Sequence, residues 1–332
     1  MKIYYPHYYH TFRCIASACP DSCCKEWAVD VDESAAAFYR QLSGELGDRL
    51  RAVLKDEDGS TVMTIADGRC PMWRQDGLCE IQAQLGHDAL CKTCREFPRL
   101  RHEYGSFTEL GLELSCPEAA RLILSGDWRM ESCETDKESD DFCDTEVLDI
   151  LLNSRRVALE LLRDTTRPLP QVMATLLLYA HDVQGQIDGG ESVPLDPEGC
   201  LADAHKYAGH GDAESLFDFF KSLEILTPQW ESRLDLGVVS RDRSESTRPL
   251  MAYFIQRYWL QAVSDYDLIS RVKFAVAGCL LVNYLGGDFL QTAQQFSKEI
   301  ENDPDNVDAI LDGAYASPAL TDANLLGLLL NT

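Results

Sequence analysis

The sequence predicts a mainly α protein. A cysteine-rich metal-binding N-terminal domain with short hairpins comes first, and an all-α helical bundle follows. Three observations carry that expectation. Nine of the thirteen cysteines fall within the first 116 of 332 residues. A stretch from 131 to 149 then carries nine acids and a single lysine. Beyond it, apolar residues recur at helical rather than alternating spacing. The expected division is 1–130 for the cysteine-rich domain, 131–149 for a solvated acidic linker and 150–332 for the helical domain.

Charge narrows the function. The chain has 55 acids against 30 bases, a net charge of −25. Binding phosphates needs a basic face, so nucleic acid is not an expected partner. The longest apolar run, Phe274–Leu285, is far short of the roughly 18 residues of a membrane span and is interrupted by Asn283. The opening residues Met1–His7 lack the apolar core of a signal peptide, which points to the cytoplasm, where thiols stay reduced.

In such a compartment clustered cysteines indicate metal or redox chemistry rather than disulfides. The first group, Cys14, Cys19, Cys23 and Cys24, has the form Cys-x4-Cys-x3-Cys-Cys, and its Pro20, Asp21 and Ser22 favour a tight turn. Adjacent Cys23 and Cys24 point in different directions if the backbone there is extended, which frees one of them for a second site or a structural role. Cys70 and Cys79 flank Asp76-Gly77, a strong turn signal that sets them facing across a hairpin. Asp88 is the expected cap of a helical turn bearing Cys91 and Cys94. Pro117 suits a first helical position, which makes Cys116 the cap before it. A helix start favours thiolate.

The spacing leaves the metal open. Only Cys91 and Cys94 form a Cys-x2-Cys knuckle, so a regular double zinc knuckle is absent. A [4Fe–4S] cluster also takes four cysteines, but neither a ferredoxin run nor Cys-x3-Cys-x2-Cys is present, Glu26 standing where the third cysteine of the latter would be. Lys92, Arg95, Arg99 and Arg101 crowd around Cys91 and Cys94. They read as an ordinary solvated surface, as compensation for thiolate or cluster charge, or as capture of a substrate carboxylate, with Arg95 and Arg99 the candidates for binding a cofactor or balancing cluster charge. Tyr4, Tyr5, Tyr8, Tyr9, Phe12, Trp27 and Trp73 read first as core aromatics, and as a face for a cation second. His7 and His10 read as surface residues.

In the second half, helical spacing predicts segments Val147–Leu162, Val172–Ile187, Cys200–Tyr207, Ala213–Leu226, Leu250–Val263, Leu268–Leu285, Phe289–Ile300 and Val307–Ala314. Their apolar faces suggest a bundle. Gly209-His210-Gly211-Asp212 reads as a turn between helices, since no strand precedes it. This half carries no recognisable chemistry of its own.

Together the motifs resemble a known family. Cys14-x4-Cys19-x3-Cys23-Cys24, Arg69-Cys70-Pro71 with Asp76-Gly77-Leu78-Cys79, Ala89-Leu90-Cys91-x2-Cys94-Arg95-x2-Pro98-Arg99 and Leu114-Ser115-Cys116-Pro117-Glu118-Ala119-Ala120-Arg121 look like those of the flagellin lysine-N-methylase (FliB) family. The earlier motifs are also similar to the YkgJ-type zinc- or iron-chelating domain. The resemblance covers roughly 10–125. It implies methyl transfer from S-adenosylmethionine to lysine side chains of flagellin, with a [4Fe–4S] cluster held among Cys14, Cys19, Cys23, Cys24, Cys70, Cys79, Cys91, Cys94 and Cys116. Nine thiols exceed the four that one cluster needs and leave room for zinc at a second thiolate site. The alternatives are a chelating module without catalysis and a redox iron–sulfur protein.

Overall fold

A computed structural model describes residues 1–25, 29–57, 59–136, 143–240 and 245–331. Among the described residues the chain is mainly helical, with fifteen α-helices and seven short strands.

The strands are β1 (Lys2–Pro6), β2 (Val29–Val31), β3 (Leu54–Glu57), β4 (Ser60–Met63), β5 (Arg99–Glu103), β6 (Phe107–Leu112) and β7 (Met130–Glu134). They make two small sheets. One has the order β2-β4-β3, and the other has the order β5-β6-β1-β7. The hairpins β3–β4 and β5–β6 match the expectation of short hairpins. The four-stranded sheet does not follow from local spacing, because its centre is a parallel pairing of β1 with β6 that sets Ile3 opposite Thr108. On the other side of β1, β7 runs antiparallel with Cys133 opposite Ile3. The acidic stretch therefore begins as an edge strand, whose mostly exposed Glu131 and Glu134 tolerate water on both sides. Residues 137–142 lie outside the described residues, and Asp144 then caps the next helix by accepting from the amides of Glu146 and Val147.

Five helices fall in the first part: α1 (Glu33–Gln41), α2 (Glu45–Val53), α3 (Glu80–Leu85), α4 (Lys92–Glu96) and α5 (Pro117–Ile123). Ten follow: α6 (Thr145–Arg163), α7 (Leu169–Ile187), α8 (Pro197–Tyr207), α9 (Ala213–Lys221), α10 (Pro228–Asp235), α11 (Arg248–Tyr258), α12 (Ile269–Leu285), α13 (Phe289–Phe296), α14 (Pro304–Ala316) and α15 (Asp322–Leu330). Each segment read from helical spacing overlaps one of these, with one or both ends shifted. Phe289–Ile300 was expected as one helix, but after Phe296 the backbone widens into a π-helical turn, Ser297–Glu301. Neither α10 nor α15 was expected. Helix α10 is mostly polar, whereas Leu325, Leu326, Leu328 and Leu329 of α15 are all buried and show no single apolar stripe.

Helix α12 is the axis of this part, with all but two of its residues buried. Gly278 at its centre lets Phe296 and Phe254 approach, since a Cβ there would meet the Phe296 ring at 2.9 Å. None of the helices, among the described residues, is long and apolar enough to cross a membrane.

Apolar packing forms two cores. The larger takes in the helices from α6 onward together with Tyr8, Phe12, Tyr104, Phe107, Leu112, Leu114, Ile123 and Trp128. The smaller is built from residues between 29 and 91: Val29, Val31, Tyr39, Leu50, Met63, Met72, Ile81 and Leu90 pack there with Cys70 and Cys91. The β-sheet around β1 thus belongs with the helices.

A buried ion pair fastens that sheet to the bundle. Arg155 of α6 donates to both carboxylate oxygens of Glu109 on β6, at 2.8 and 2.5 Å. Both residues are more than nine-tenths buried. Removing one partner strands the other charge away from water. Arg155→Met should cost about 3–5 kcal/mol in denaturant unfolding, and Arg155→Met with Glu109→Gln should recover most of it. Equal losses in the single and double variants would contradict this account.

Candidate metal centre

All thirteen cysteines are free thiols. The nine singled out from the sequence arrive from four segments, and local hydrogen bonds fix each one. Cys14 ends the aromatic N-terminal stretch, and its sulfur accepts from the Ala16 amide at 3.4 Å. A single turn, Ala16–Ala18, carries the chain to Cys19, whose thiol donates to the Asp21 carbonyl at 3.1 Å. Next to Cys23, the Cys24 amide donates to Ser22 Oγ at 3.2 Å. The Cys24 carbonyl accepts from the Cys70 amide at 2.8 Å, which joins the first segment to the second.

Cys70 and Cys79 lie at the two ends of a reversed turn, as expected. The Arg74 amide donates to the Leu78 carbonyl at 2.9 Å, and Gly77 supplies a φ of +80°. A side chain at Gly77 would also press on the first thiol loop, since a Cβ would lie 3.3 Å from Ser17 Cα. No regular strands flank this turn, which is closed by a bridge between Trp73 and Cys79.

Cys79, Cys91 and Cys116 each occupy the N-cap position of a helix, α3, α4 and α5 respectively. The Cys116 expectation holds, with Pro117 opening α5. The Asp88 expectation does not. Asp88 lies in the preceding 3-10 turn, and the carboxylate at the start of α4 belongs to Asp32, whose Oδ2 accepts from the Lys92 amide at 2.7 Å. A carboxylate 60 residues away thus takes over the local cap.

The thiols influence one another in two overlapping sets. Cys14, Cys19 and Cys116 are electrostatic neighbours, and Cys23 feels Cys14 and Cys116. Cys70 and Cys79 both feel Cys24 and Cys91, and all four belong to or pack against the smaller core. Cys94 is hydrogen-bonded to Cys91 and feels both Cys23 and Cys24, so it lies between the sets. Adjacent Cys23 and Cys24 do face different neighbours, although their own thiols are also hydrogen-bonded. Cys133, Cys143, Cys200 and Cys279 have no part in either set.

Burial and hydrogen bonding compete over each sulfur. Burial pushes Cys70 and Cys116 up to about 11, although the amides of Glu118 and Ala119 work against it at Cys116. Cys19 and Cys79 are raised by burial as well. A helix start alone is therefore too weak to make Cys79 or Cys116 a thiolate. A donated thiol proton does more. Cys23 donates to Cys24 and Cys94 donates to Cys91, which brings each acceptor down to about 7 and holds each donor's own proton on.

This donor set is soft, reduced and ready to lose protons to a metal, which suits zinc or an iron–sulfur cluster. Among the described residues, however, no three Cys, His, Asp or Glu side chains converge closely enough to hold one ion. The closest thiols instead form two hydrogen-bonded pairs, Cys23 with Cys24 and Cys94 with Cys91.

The other candidate residues separate. Arg95 helps to lower Cys91 and lines a cavity of about 330 Å³ with Asp32, Phe38 and Asp88. Arg99 instead lies over the Phe12 ring at 5.1 Å. Lys25 and Arg69 flank the Trp73 ring at 5.5 and 4.9 Å. Tyr8 and Phe12 are core residues, whereas Trp27 lies outside the described residues. His7 pairs with Asp127 at 3.5 Å, and His10 stacks edge-on with Tyr5. A larger groove of about 570 Å³, not foreseen from sequence, is lined by Arg101, His102, Tyr104, Gln261, Ser264 and Arg271. Its guanidiniums are already matched, Arg101 by Glu103 at 2.6 Å and Arg271 by Asp265 at 2.9 Å.

The pKa ordering predicts thiol reactivity. In metal-free protein, alkylation of Cys24 should rise as pH passes through about 7, whereas Cys70 and Cys116 should stay protonated and slow until pH approaches 11. Mass spectrometry of alkylated peptides across pH reads this directly. Equal rates at pH 8 would refute the ordering.

No protein-family model matches the chain, and no solved structure matches it. Curated relatives do. The chain is 33% identical over 127 residues to the flagellar biosynthetic protein FliU of Salmonella muenchen, covering 36% of this chain and 75% of that protein. It is also 33% identical over 127 residues to lysine-N-methylases of Salmonella typhimurium and Salmonella choleraesuis. There the match covers 36% of this chain and 32% of each relative, so it spans only about a third of their length. The relatives bear out the FliB resemblance and lend nothing to the YkgJ-type one. With three quarters of FliU covered at this identity, the chain belongs to the FliB family, which includes lysine-N-methylases and FliU.

Proposed function

We propose that the protein is a protein-lysine N-methyltransferase that uses S-adenosylmethionine to methylate flagellin, with a [4Fe–4S] cluster at its thiol centre. The observation that carries this reading is the gathering of nine free thiols from four segments, in a chain similar to lysine-N-methylases. Cys14, Cys19, Cys23 and Cys116 form the set proposed for the cluster, because Cys14 and Cys23 are exposed and leave a side open to a second ligand. Cys24, Cys70, Cys79 and Cys91 sit against the smaller core and are proposed for a structural zinc ion, which would have to draw the four sulfurs closer together than they stand. When bound, the cluster would supply an open iron for the amino and carboxylate groups of the methyl donor.

In the transfer itself, the lysine nitrogen lone pair attacks the sulfonium methyl carbon. An N–C bond forms as the S–C bond breaks, and S-adenosylhomocysteine leaves. Lysine has an ordinary pKa near 10.4, so its ammonium must first lose a proton through desolvation or to a base. The reaction is a polar displacement that needs alignment and no electron donor. The net charge of −25 favours approach of a lysine-bearing segment. A reducing cytoplasm would keep the free thiols available.

Protein purified without oxygen should contain iron matched by acid-labile sulfide, and its visible spectrum should shift when S-adenosylmethionine is added. Incubation with flagellin should add methyl groups to lysine without added reductant and without forming 5′-deoxyadenosine. Zinc without sulfide would end the cluster assignment and favour a chelating module. Strict dependence on an electron donor, with 5′-deoxyadenosine formed, would replace polar transfer by radical chemistry. Failure to methylate flagellin would refute the substrate assignment.

A further inference from the structure

The π-helical turn Ser297–Glu301, with the end of α13 before it, carries buried polar side chains that reach toward the thiol loops. Lys298 is 5% exposed, and its Nζ donates to both carboxylate oxygens of Asp21, at 3.2 and 3.1 Å. Asp21 lies in the loop between Cys19 and Cys23, and its own carbonyl accepts from the Cys19 thiol. Gln294, 7% exposed, donates from one amide nitrogen to Asp21 Oδ2 at 3.0 Å and to the Ser115 carbonyl at 2.7 Å. Ser115 immediately precedes Cys116. One side chain therefore ties together the two loops that deliver Cys19, Cys23 and Cys116.

The same unit braces the second loop from behind. Glu301 accepts from Tyr253 at 3.1 Å and Tyr258 at 2.8 Å and pairs with Arg257 at 3.1 Å. The Tyr253 hydroxyl in turn accepts from the Leu114 amide at 3.4 Å. A π turn moves successive side chains off the register of an α-helix, and such turns often mark functional positions. Here it presents Lys298 and Glu301 to different neighbours.

We propose that Gln294 and Lys298 are positioning residues for the thiol centre, holding the Cys19–Cys23 loop and Cys116 in one fixed relation. The helical half of the chain thereby sets the geometry of thiols that all lie in the first 116 residues. The proposal rests on the reading of those thiols as a metal centre. Its test works on metal-free protein, so a failure here is distinct from a failure of that reading.

The test is residue-resolved alkylation by a small haloacetamide on folded, metal-free protein, with circular dichroism to establish folding. Lys298→Met should speed alkylation of Cys19, Cys23 and Cys116 by about tenfold, the scale of losing one charge-assisted hydrogen bond. Rates at Cys70, Cys79 and Cys91 should not change. Gln294→Leu should do the same, and Lys298→Arg should restore the wild-type pattern. Asp21→Asn with Lys298→Met removes both charges of this pair together. This double variant should show the same rise in alkylation at Cys19, Cys23 and Cys116 as Lys298→Met alone. Unchanged rates at Cys19, Cys23 and Cys116, or an equal rise at all six cysteines, would overturn the proposal.

Discussion

Charge that leaves water must find a partner inside the protein, and much of this structure follows from that constraint. Lys298, Glu299 and Glu301 occupy one π-helical turn, and all three are buried. Their partners come from far along the chain. Asp21 meets Lys298, the Leu226 and Thr227 amides meet Glu299, and Arg257 with two tyrosines meets Glu301. Between them the three pairings tie the turn to the first segment, to the start of α10 and to α11. Arg155 with Glu109 repeats the arrangement at the β-sheet. Such pairs add little net stability over apolar substitutes, but breaking one is costly, and so they specify a single arrangement.

The thiol centre obeys the same balance at smaller scale. A buried thiol resists ionisation, and a helix start offsets only part of that cost at Cys79 and Cys116. Where a second thiol supplies the proton, as at Cys24 and Cys91, the balance tips toward thiolate near neutral pH. The thiols are thus held close and mostly protonated, and binding a metal would release protons and couple its affinity to pH. Two cationic side chains act on these sulfurs, Lys25 on Cys19 and Arg95 on Cys91.

The two apolar cores leave the two thiol sets differently exposed. The smaller core surrounds Cys70 and Cys91 and brings Cys24 and Cys79 against it, which shields them from solvent. The other set leaves Cys14 and Cys23 exposed, while Cys116 rests on the larger core. A sheltered set suits structure, and an open one suits exchange of ligands. That contrast is the physical basis for placing the proposed cluster and zinc where they are.

Much was legible in the sequence because it is local. Helical periodicity located eight of the ten described helices of the second half, Pro117 marked the start of α5 with Cys116 at its cap, and Asp76-Gly77 marked the turn between Cys70 and Cys79. The motif order around the cysteines also indicated the family that the relatives bear out. What the sequence could not reveal depends on partners distant in the chain. Asp32 caps α4 in place of Asp88, β1 pairs with a strand a hundred residues on, and the apolar faces of α15 register only as burial. The cysteine types and spacings belong to the sequence alone. Which thiols face one another, which stay protonated, and which buried lysine and glutamine hold their loops were decided by tertiary packing, because desolvation and hydrogen bonding act through space and ignore chain order.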